Sequence, residues 1–500
     1  MRFLILDIDT LRPDHLGCYG YGRETSPVID SIAEEGLRFD RYYCPNAPCL
    51  PSRASLVTGQ FGIRTGVVGH GGTAADLRHE GFSRRFRSKY SHNSLFNLFR
   101  RKGIYTASVS TFAERHSSWW FNAGLNEVIN LGLGGGETGE MVTDAALSWL
   151  DRHEKDDNWM LHLNYWDPHT PYRTPMSIGR PFEDVPLPQD WIDEEVFARH
   201  KNHVGPHCAN EIGMWDDSHP KNCPRHPGKI DDLDGVKRFI DDYDTGILYA
   251  DMQIGKVVER LKKAGVWEDT AVIITADHGE NMGELGLYAE HGTADEITCR
   301  IPMIIKWPGM KTGVEKSFHT NVDLAPTIAE LFSLEPVGGY EYDGVSFAPA
   351  LRGEDYEKQD GVVLTQCAHV CQRSARWGDW LYIRTVHGGY HLFPEQMLFN
   401  IKDDPHETND LADKFPEICA EGARRILVWE QKMLSRSAYD YGYQGDPMYT
   451  VLAEGGPEHC RGELLGYMQR LRETGREWGV KELERIYARD LKRELNNKSI

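Results

Sequence analysis

The 500-residue sequence contains no apolar run long enough to cross a bilayer. Its opening run, Met1-Arg2-Phe3-Leu4-Ile5-Leu6, stops at Asp7, short of a signal-peptide core, so a cytoplasmic protein without a membrane anchor is expected. Positive charge is also scarce: 56 Lys and Arg against 76 Asp and Glu leave a net charge of -20. That balance excludes general nucleic-acid binding, because a phosphate backbone is held by clustered cations. An anionic ligand would need a local positive pocket, which a metal ion beside Arg and His provides without changing the overall sign. The ten cysteines lack the dense, even spacing of a disulfide scaffold, so reduced thiols are expected. There is no internal repeat and no low-complexity run. At 40% hydrophobic and 26% charged, the chain has the composition of an ordinary globular protein, with length for two or three domains or one large α/β domain with an appendage.

Residues 3–8 form a short apolar run that predicts a buried strand delivering Asp9 at its carboxyl end, where ligands gather in open α/β sheets. Similar runs at 105–110, 159–165, 271–275 and 303–306 predict further strands, with amphipathic stretches between them. Met141, Ala145, Leu147 and Leu150 share one helical face, and Ile247, Ile254, Val258 and Leu261 another before Gly265. The expected fold class is α/β: a large mixed, mostly parallel sheet sandwiched by helices, with a smaller C-terminal α+β subdomain. The boundaries expected are 1–355 for the catalytic domain, 356–440 for an antiparallel-sheet subdomain and 441–500 for a helical extension. Within the first, 179–235 breaks into Pro, His, Asp and Trp without period, which suits a lid or substrate loop. In the tail, Leu464, Met468 and Leu471, then Leu483 and Ile486, form stripes that dock on the body or on a second copy in a homo-oligomer.

Several segments carry chemistry. Cys49-Leu50-Pro51-Ser52-Arg53, with Thr58-Gly59 after it, is a CxPxR pentapeptide of the kind that formylglycine-generating enzymes read. Alone, it would as easily be a structural cysteine. Its companions are Asp9 within Leu6-Asp7-Ile8-Asp9-Thr10-Leu11-Arg12-Pro13, Asp277-His278-Gly279 after an apolar run, and Pro168-His169-Thr170-Pro171. Glu290-His291-Gly292-Thr293 leads into Cys299-Arg300-Ile301-Pro302, and Asp404 to Leu411 form a further segment near the C terminus. Together these resemble the type I, formylglycine-dependent sulfatases of the alkaline phosphatase superfamily, over residues 3–411 without the irregular insert.

The resemblance implies that a maturase converts Cys49 to formylglycine, which shares a divalent cation with Asp9, Asp277 and His278. Oxygen ligands with a single imidazole suit Ca²⁺ or Mg²⁺ and admit Mn²⁺, and the resemblance favours calcium. The family commonly has a second Asp where this chain has Thr10, which is at most a weak ligand, and Asp7 reads as a buried structural carboxylate. Arg53 is expected to hold the nucleophile and His169 to act as general acid. His291 stands where many sulfatases carry a sulfate-binding lysine, and it suits either an oxygen donor or a proton donor to the leaving group. The family's Gly-Lys-x-His is absent, and either His116 with Arg115 or Thr111 fills its place; His116 is the expected base, a structural role being its alternative, with Thr111 and Arg115 as substrate contacts. His70, in a glycine-rich turn, is a further substrate contact, whereas His162 inside a strand is structural.

His200, His203, His207, Cys208, His219, Cys223 and His226 are residue types that bind zinc, but their spacing does not make a compact zinc module, and lid or substrate contacts are the plainer reading. The implied reaction is hydrolysis of a sulfate ester of a small molecule or saccharide. A phosphonate monoester or phosphodiester hydrolase is the rival, and a non-catalytic protein binding sulfated ligands a remote one.

Overall fold

The computed structural model describes residues 1–78, 89–441 and 445–497. The strand Arg2–Ile8 is buried along its whole length, as a continuous apolar run requires when both faces of a parallel sheet are covered. It pairs in parallel with Thr270–Thr275 on one side and Trp159–Tyr165 on the other. Asp7 lies opposite Thr275 and Ile8 opposite Tyr165, so the chain leaves the sheet at Asp9 level with Asp277, and Asp9 N donates to Tyr165 O at 2.8 Å. The register of three central strands thus brings three distant segments to one sheet edge.

The sheet has eight strands in the order Gly313–Thr320, Leu37–Tyr43, Met303–Lys306, Thr270–Thr275, Arg2–Ile8, Trp159–Tyr165, Tyr105–Val109 and Glu127–Ile129. Met303–Lys306 runs antiparallel to both neighbours, and every other pairing is parallel. The helix Leu233–Lys263 is capped by Asp232, whose side chain accepts from Gly235 N, and it ends just before Gly265 at φ +73°. It buries Ile247, Ile254, Val258 and Leu261, the face expected from their spacing. The helix Gly139–His153 turns a different face inward: Val142, Ala146, Trp149 and Leu150 are buried, while Met141 is 37% exposed. Trp149 decides that rotation, since it has the largest apolar surface on the helix and packs edge-on against Trp159.

A second sheet joins Gln396–Asn400, Trp380–His387, Cys371–Trp377 and Gly361–Gln366 as antiparallel neighbours, and its last place is taken by Asn46–Ala47. The chain entering Cys49 is therefore built into the C-terminal sheet. The helix Pro416–Tyr441 covers that sheet through Cys419 and Ile426 against Tyr382 and Leu398. In the tail, the helices Leu464–Glu473 and Glu477–Ile486 bury Leu464, Met468, Leu471 and Leu483 against Val204 and Tyr390 of the body, leaving Ile486 exposed. The irregular insert holds one helix, Glu194–Lys201, and buries Val204, Cys208, Ile212 and Ile230. All ten cysteines are unpaired, and no helix among the described residues is long and apolar enough to cross a membrane.

Candidate active site

Cys49 is the first residue of the helix Cys49–Thr58, every residue of which is buried. Arg53, one turn later on the same face, reaches the end of the central sheet. Its Nε and Nη2 donate to the two oxygens of Asp7 at 2.8 and 3.1 Å, Nη2 also to Asp9 Oδ2 at 3.1 Å, and Nη1 to Asp277 Oδ2 at 2.5 Å. Ser52 Oγ donates to the Asp277 carbonyl at 2.6 Å, and Asn321 Nδ2 donates to Ser52 Oγ at 3.0 Å, so the CxPxR helix is fastened to the strand end that bears Asp277. Burial pushes Asp7 up, but Arg53 and His162 outweigh it and hold Asp7 at about 2. Asp7 is thereby the structural partner of the guanidinium.

One guanidinium faces three carboxylates here, and the excess negative charge is buried. Burial and the neighbouring Asp277 push Asp9 well above the usual carboxylate range, and its Oδ1 is buried without a hydrogen bond. Ligand atoms of Asp9, Cys49, Asp277 and His278 all lie within 4.8 Å of one another. His278 Nδ1 donates to Gly279 O at 2.8 Å, which leaves its Nε2 lone pair facing Cys49 Sγ at 3.1 Å and Asp277 Oδ2 at 3.2 Å. An orphaned carboxylate oxygen, a second carboxylate and an oriented imidazole fit a divalent cation. Cys49 Sγ occupies the place that an oxygen of a modified residue 49 would take. Thr10 is held at φ +55°, with its N donating to Asp277 Oδ1 at 3.2 Å, and its own Oγ1 is buried without a hydrogen bond.

A second shared group of ligand atoms comprises Cys49, His169, His278 and His291. His169 Nδ1 is tied to Thr170 O, so its Nε2 faces Cys49 Sγ at 3.9 Å and Asp9 Oδ1 at 3.7 Å. His291 stacks at 4.0 Å from His278, with Nε2 3.1 Å from Glu290 Oε1 and Nδ1 3.4 Å from Glu280 Oε2. Burial, and then the neighbouring Arg115 for His169 and His278 for His291, push both rings well below the ordinary imidazole value.

The remaining expected residues lie further out. His70 Nε2 is 3.5 Å from Leu50 N, and its Nδ1 is 2.9 Å from His459 Nε2. His116 packs between Phe112 and His70, at 5.0 and 5.1 Å between ring centres, and no hydrogen bond among the described residues joins it to Cys49. Burial and Arg115 push His116 down to about 3. Arg115 lies over the Trp166 ring at 5.1 Å and donates to Gly134 O. Thr111 is spent on the segment that precedes the helix Gly139–His153, donating to Glu137 Oε2 at 3.0 Å and accepting from Gly135 N. His162 binds Ser108 Oγ at 2.8 Å within the sheet.

The sequence reading missed Glu280, His369 and His459, which surround His291 and His70. His459 comes from the tail and His369 from the turn joining two strands of the second sheet, and neither stands in a motif that points to the site. Of the insert's histidines, His207 lies 3.3 Å from Glu290 Oε2, and His226 Nδ1 lies 3.5 Å from Oγ1 of Thr170, the neighbour of His169. His200 binds Tyr288 Oη, His203 faces His391, and Cys208 accepts from Arg476.

Residues 2–334 match the family model described as Sulfatase, a span that includes Asp9, Cys49, His169, Asp277, His278 and His291. A choline-sulfatase of Rhizobium meliloti is 25% identical over 421 residues, covering 78% of this chain and 78% of that protein. An N-acetylglucosamine-6-O-sulfatase of Bacteroides thetaiotaomicron is 24% identical over 476 residues, covering 82% of each. Among solved structures, a phosphonate monoester hydrolase of Agrobacterium radiobacter superposes with a TM-score of 0.67 at 18% identity, covering 87% of this chain and 96% of that one. A structure described as a complex with its substrate D-glucosamine-2-N,6-O-disulfate gives the same TM-score at 17% identity, over 89% of this chain and 99% of that one. Likeness at such identity speaks to the fold, whereas the family match reaches across the sheet edge and the CxPxR helix: the chain belongs to the sulfatase family of sulfuric ester hydrolases.

Proposed function

We propose that this protein hydrolyses the sulfate ester of a carbohydrate, using formylglycine formed from Cys49 by a maturase and a divalent cation, calcium first, held by Asp9, Asp277, His278 and residue 49. The observation that carries the reading is the meeting of Cys49, His278, Asp9 and Asp277 within 4.8 Å on the face of one helix anchored by Arg53. When present, the hydrated aldehyde supplies one hydroxyl for attack at sulfur and another for release of sulfate, and the cation supplies positive charge to the sulfuryl oxygens.

The chain's own residues set the rest. Arg53 fixes the spacing of the carboxylates and so the place of the cation. His169, with its Nδ1 tied to Thr170 O, presents Nε2 toward position 49, where it exchanges a proton with the departing alcohol oxygen. His291 lies against His278 and offers a second proton-carrying ring on the same side, backed by Glu290 and Glu280. His70 and His459 form a polar wall beside Leu50 that suits the hydroxyls of a sugar. His116, 5.1 Å from His70 between ring centres and with its Nε2 buried without a hydrogen bond, is the ring we assign as base to the release step. The carbohydrate assignment draws on the names of relatives, among them the N-acetylglucosamine-6-O-sulfatase.

A phosphonate monoester hydrolase is the second reading, favoured by the superposition on one such enzyme. His291 in place of a lysine leaves this pocket less cationic, which disfavours doubly charged phosphate monoesters, whereas phosphonate and sulfate monoesters each carry one negative charge, so relative rates decide between these two readings. Rates on an aryl sulfate, an aryl phosphonate and a panel of sulfated mono- and disaccharides, each with and without chelator, test both readings. Sulfate hydrolysis that disappears with chelator, a Cys49→Ala variant that folds but does not turn over, and an intact mass showing thiol-to-aldehyde conversion are the expected results. Wild-type turnover by Cys49→Ala would remove the nucleophile, and faster phosphonate cleavage would replace the sulfate reading by the second one.

A further inference from the structure

Beside the pocket, on the far side of Glu290 from His278, three segments that are remote in sequence meet. His207 comes from the irregular insert, Glu290 ends the short strand Tyr288–Glu290, and His369 sits in the turn between Gly361–Gln366 and Cys371–Trp377. Their ligand atoms lie within 4.8 Å of one another: Glu290 Oε2 is 3.3 Å from His207 Nε2, and Glu290 Oε1 is 3.4 Å from His369 Nε2. We infer that His207, Glu290 and His369 form a second metal site, separate from the cation cage at residue 49, that takes a borderline-soft divalent ion, zinc by preference.

Four observations support this. The spacing is right, because ligands about 2.0–2.1 Å from a tetrahedral zinc stand about 3.3 Å apart. His207 is already set as a ligand: its Nδ1 donates to Ile212 O at 2.9 Å, which fixes the tautomer and leaves the Nε2 lone pair free. His207 also sits at φ +59°, a left-handed conformation that a non-glycine residue keeps only when its surroundings hold it there. His369 is only 6% exposed, and its Nε2 makes no hydrogen bond. A buried ring nitrogen 3.4 Å from a carboxylate oxygen, with no hydrogen bond of its own, is placed to take a metal.

Charge and size agree. Glu290 is 8% exposed and pairs with the imidazoles of His207, His291 and His369; no Lys or Arg pairs with it among the described residues. His459 is stacked on the His369 ring at 4.0 Å and holds it in place. A cavity of about 10 Å³ touching all three ligands, with Leu287 and Cys460 in its wall, has room for one atom-sized occupant. Two imidazoles and one carboxylate with an open fourth position match zinc, and unlike the oxygen-rich cage they have little to offer calcium. The ion would clasp the insert to the C-terminal sheet, and because Glu290 also contacts His291, it would hold one wall of the pocket in place.

The test uses the full chain, stripped with chelator, then saturated with Ca²⁺ and titrated with Zn²⁺ and, separately, Co²⁺. One tight zinc equivalent is expected in the presence of excess calcium, with cobalt giving the strong visible absorption of a four-coordinate site. The zinc equivalent should persist in Cys49→Ala, which removes a ligand common to both groups at residue 49, and be lost in His207→Gln and His369→Gln. Because these variants can lose structure, the cobalt spectrum of the wild-type protein stands as a measurement that needs no substitution. A wild-type chain that takes no zinc under calcium, a cobalt spectrum of a six-coordinate oxygen site, or zinc binding unchanged in both histidine variants would each overturn the site. None of these outcomes depends on formylglycine or on turnover.

Discussion

Arg53 is buried to within 1% of its side-chain surface and holds Asp7, Asp9 and Asp277 with a single fork. Lysine in its place keeps the charge but cannot reach three carboxylates, so Arg53→Lys tests geometry apart from charge. Its kcat on an aryl sulfate should fall by about 10²- to 10³-fold, the usual cost of losing one preorganised donor, while circular dichroism stays native. An unchanged kcat would show that the fork does not organise the site. At this scale much was legible in the sequence. Cys49, Asp9, Asp277, His278 and His169 stand in short motifs, and the reading of Asp7 as structural follows from strand alternation, which turns it to the same face as Asp9 one pleat deeper. Thr111 and His116 were chosen by place in the chain alone. The structure bonds Thr111 to Glu137 and sets His116 against His70, because the short helix Phe112–Arg115 turns the segment there.

Glu284 links two elements that the sequence keeps far apart. It accepts from Arg12 Nη2 at 3.0 Å, from the loop after the first strand, and lies 3.0 Å from His406 Nδ1 of the C-terminal Asp404-to-Leu411 segment. Burial raises Glu284, but Arg12 and His406 outweigh it and lower it from 4.5 to about 2. A depressed carboxylate contributes stability that is complete above its unfolded pKa and is lost as pH falls through its folded pKa, here between 4.5 and about 2. The shift corresponds to about 3 kcal/mol. Glu284→Gln should lower urea stability at pH 7 by about that amount and flatten the loss that the wild type shows on acidification. Parallel urea melts at pH 7 and pH 3 check it, and equal losses at both would exclude the linkage. Strands at this scale were legible where they are continuously apolar, as in Arg2–Ile8 and Thr270–Thr275. Leu37–Tyr43 was missed because Arg38, Asp40 and Arg41 interrupt its apolar residues, and only its neighbours in the sheet make it a strand.

For the whole molecule, the tail and the insert behave as one body with the rest of the chain. Leu471 is fully buried in the cluster that joins the tail helices to Val204 and Tyr390. Leu471→Ala should cost about 2–5 kcal/mol, the range for a buried leucine that leaves a cavity. Because the same tail brings His459 to His70, kcat/KM should fall with the melting temperature; limited proteolysis that cuts the tail no faster than in wild type would contradict the coupling. The sequence by itself determined the family and the α/β class and singled out Cys49, Asp9, Asp277 and His278 as a set, because each depends on residue types at fixed short spacing or on an apolar period that needs no distant partner. Only the tertiary structure decided that Asn46–Ala47 closes the second sheet, that His369 and His459 stand beside the pocket, and that His207 meets Glu290. Those contacts span tens to hundreds of residues, and no local pattern encodes them: they follow from which faces the strands and helices bury once the whole chain has packed.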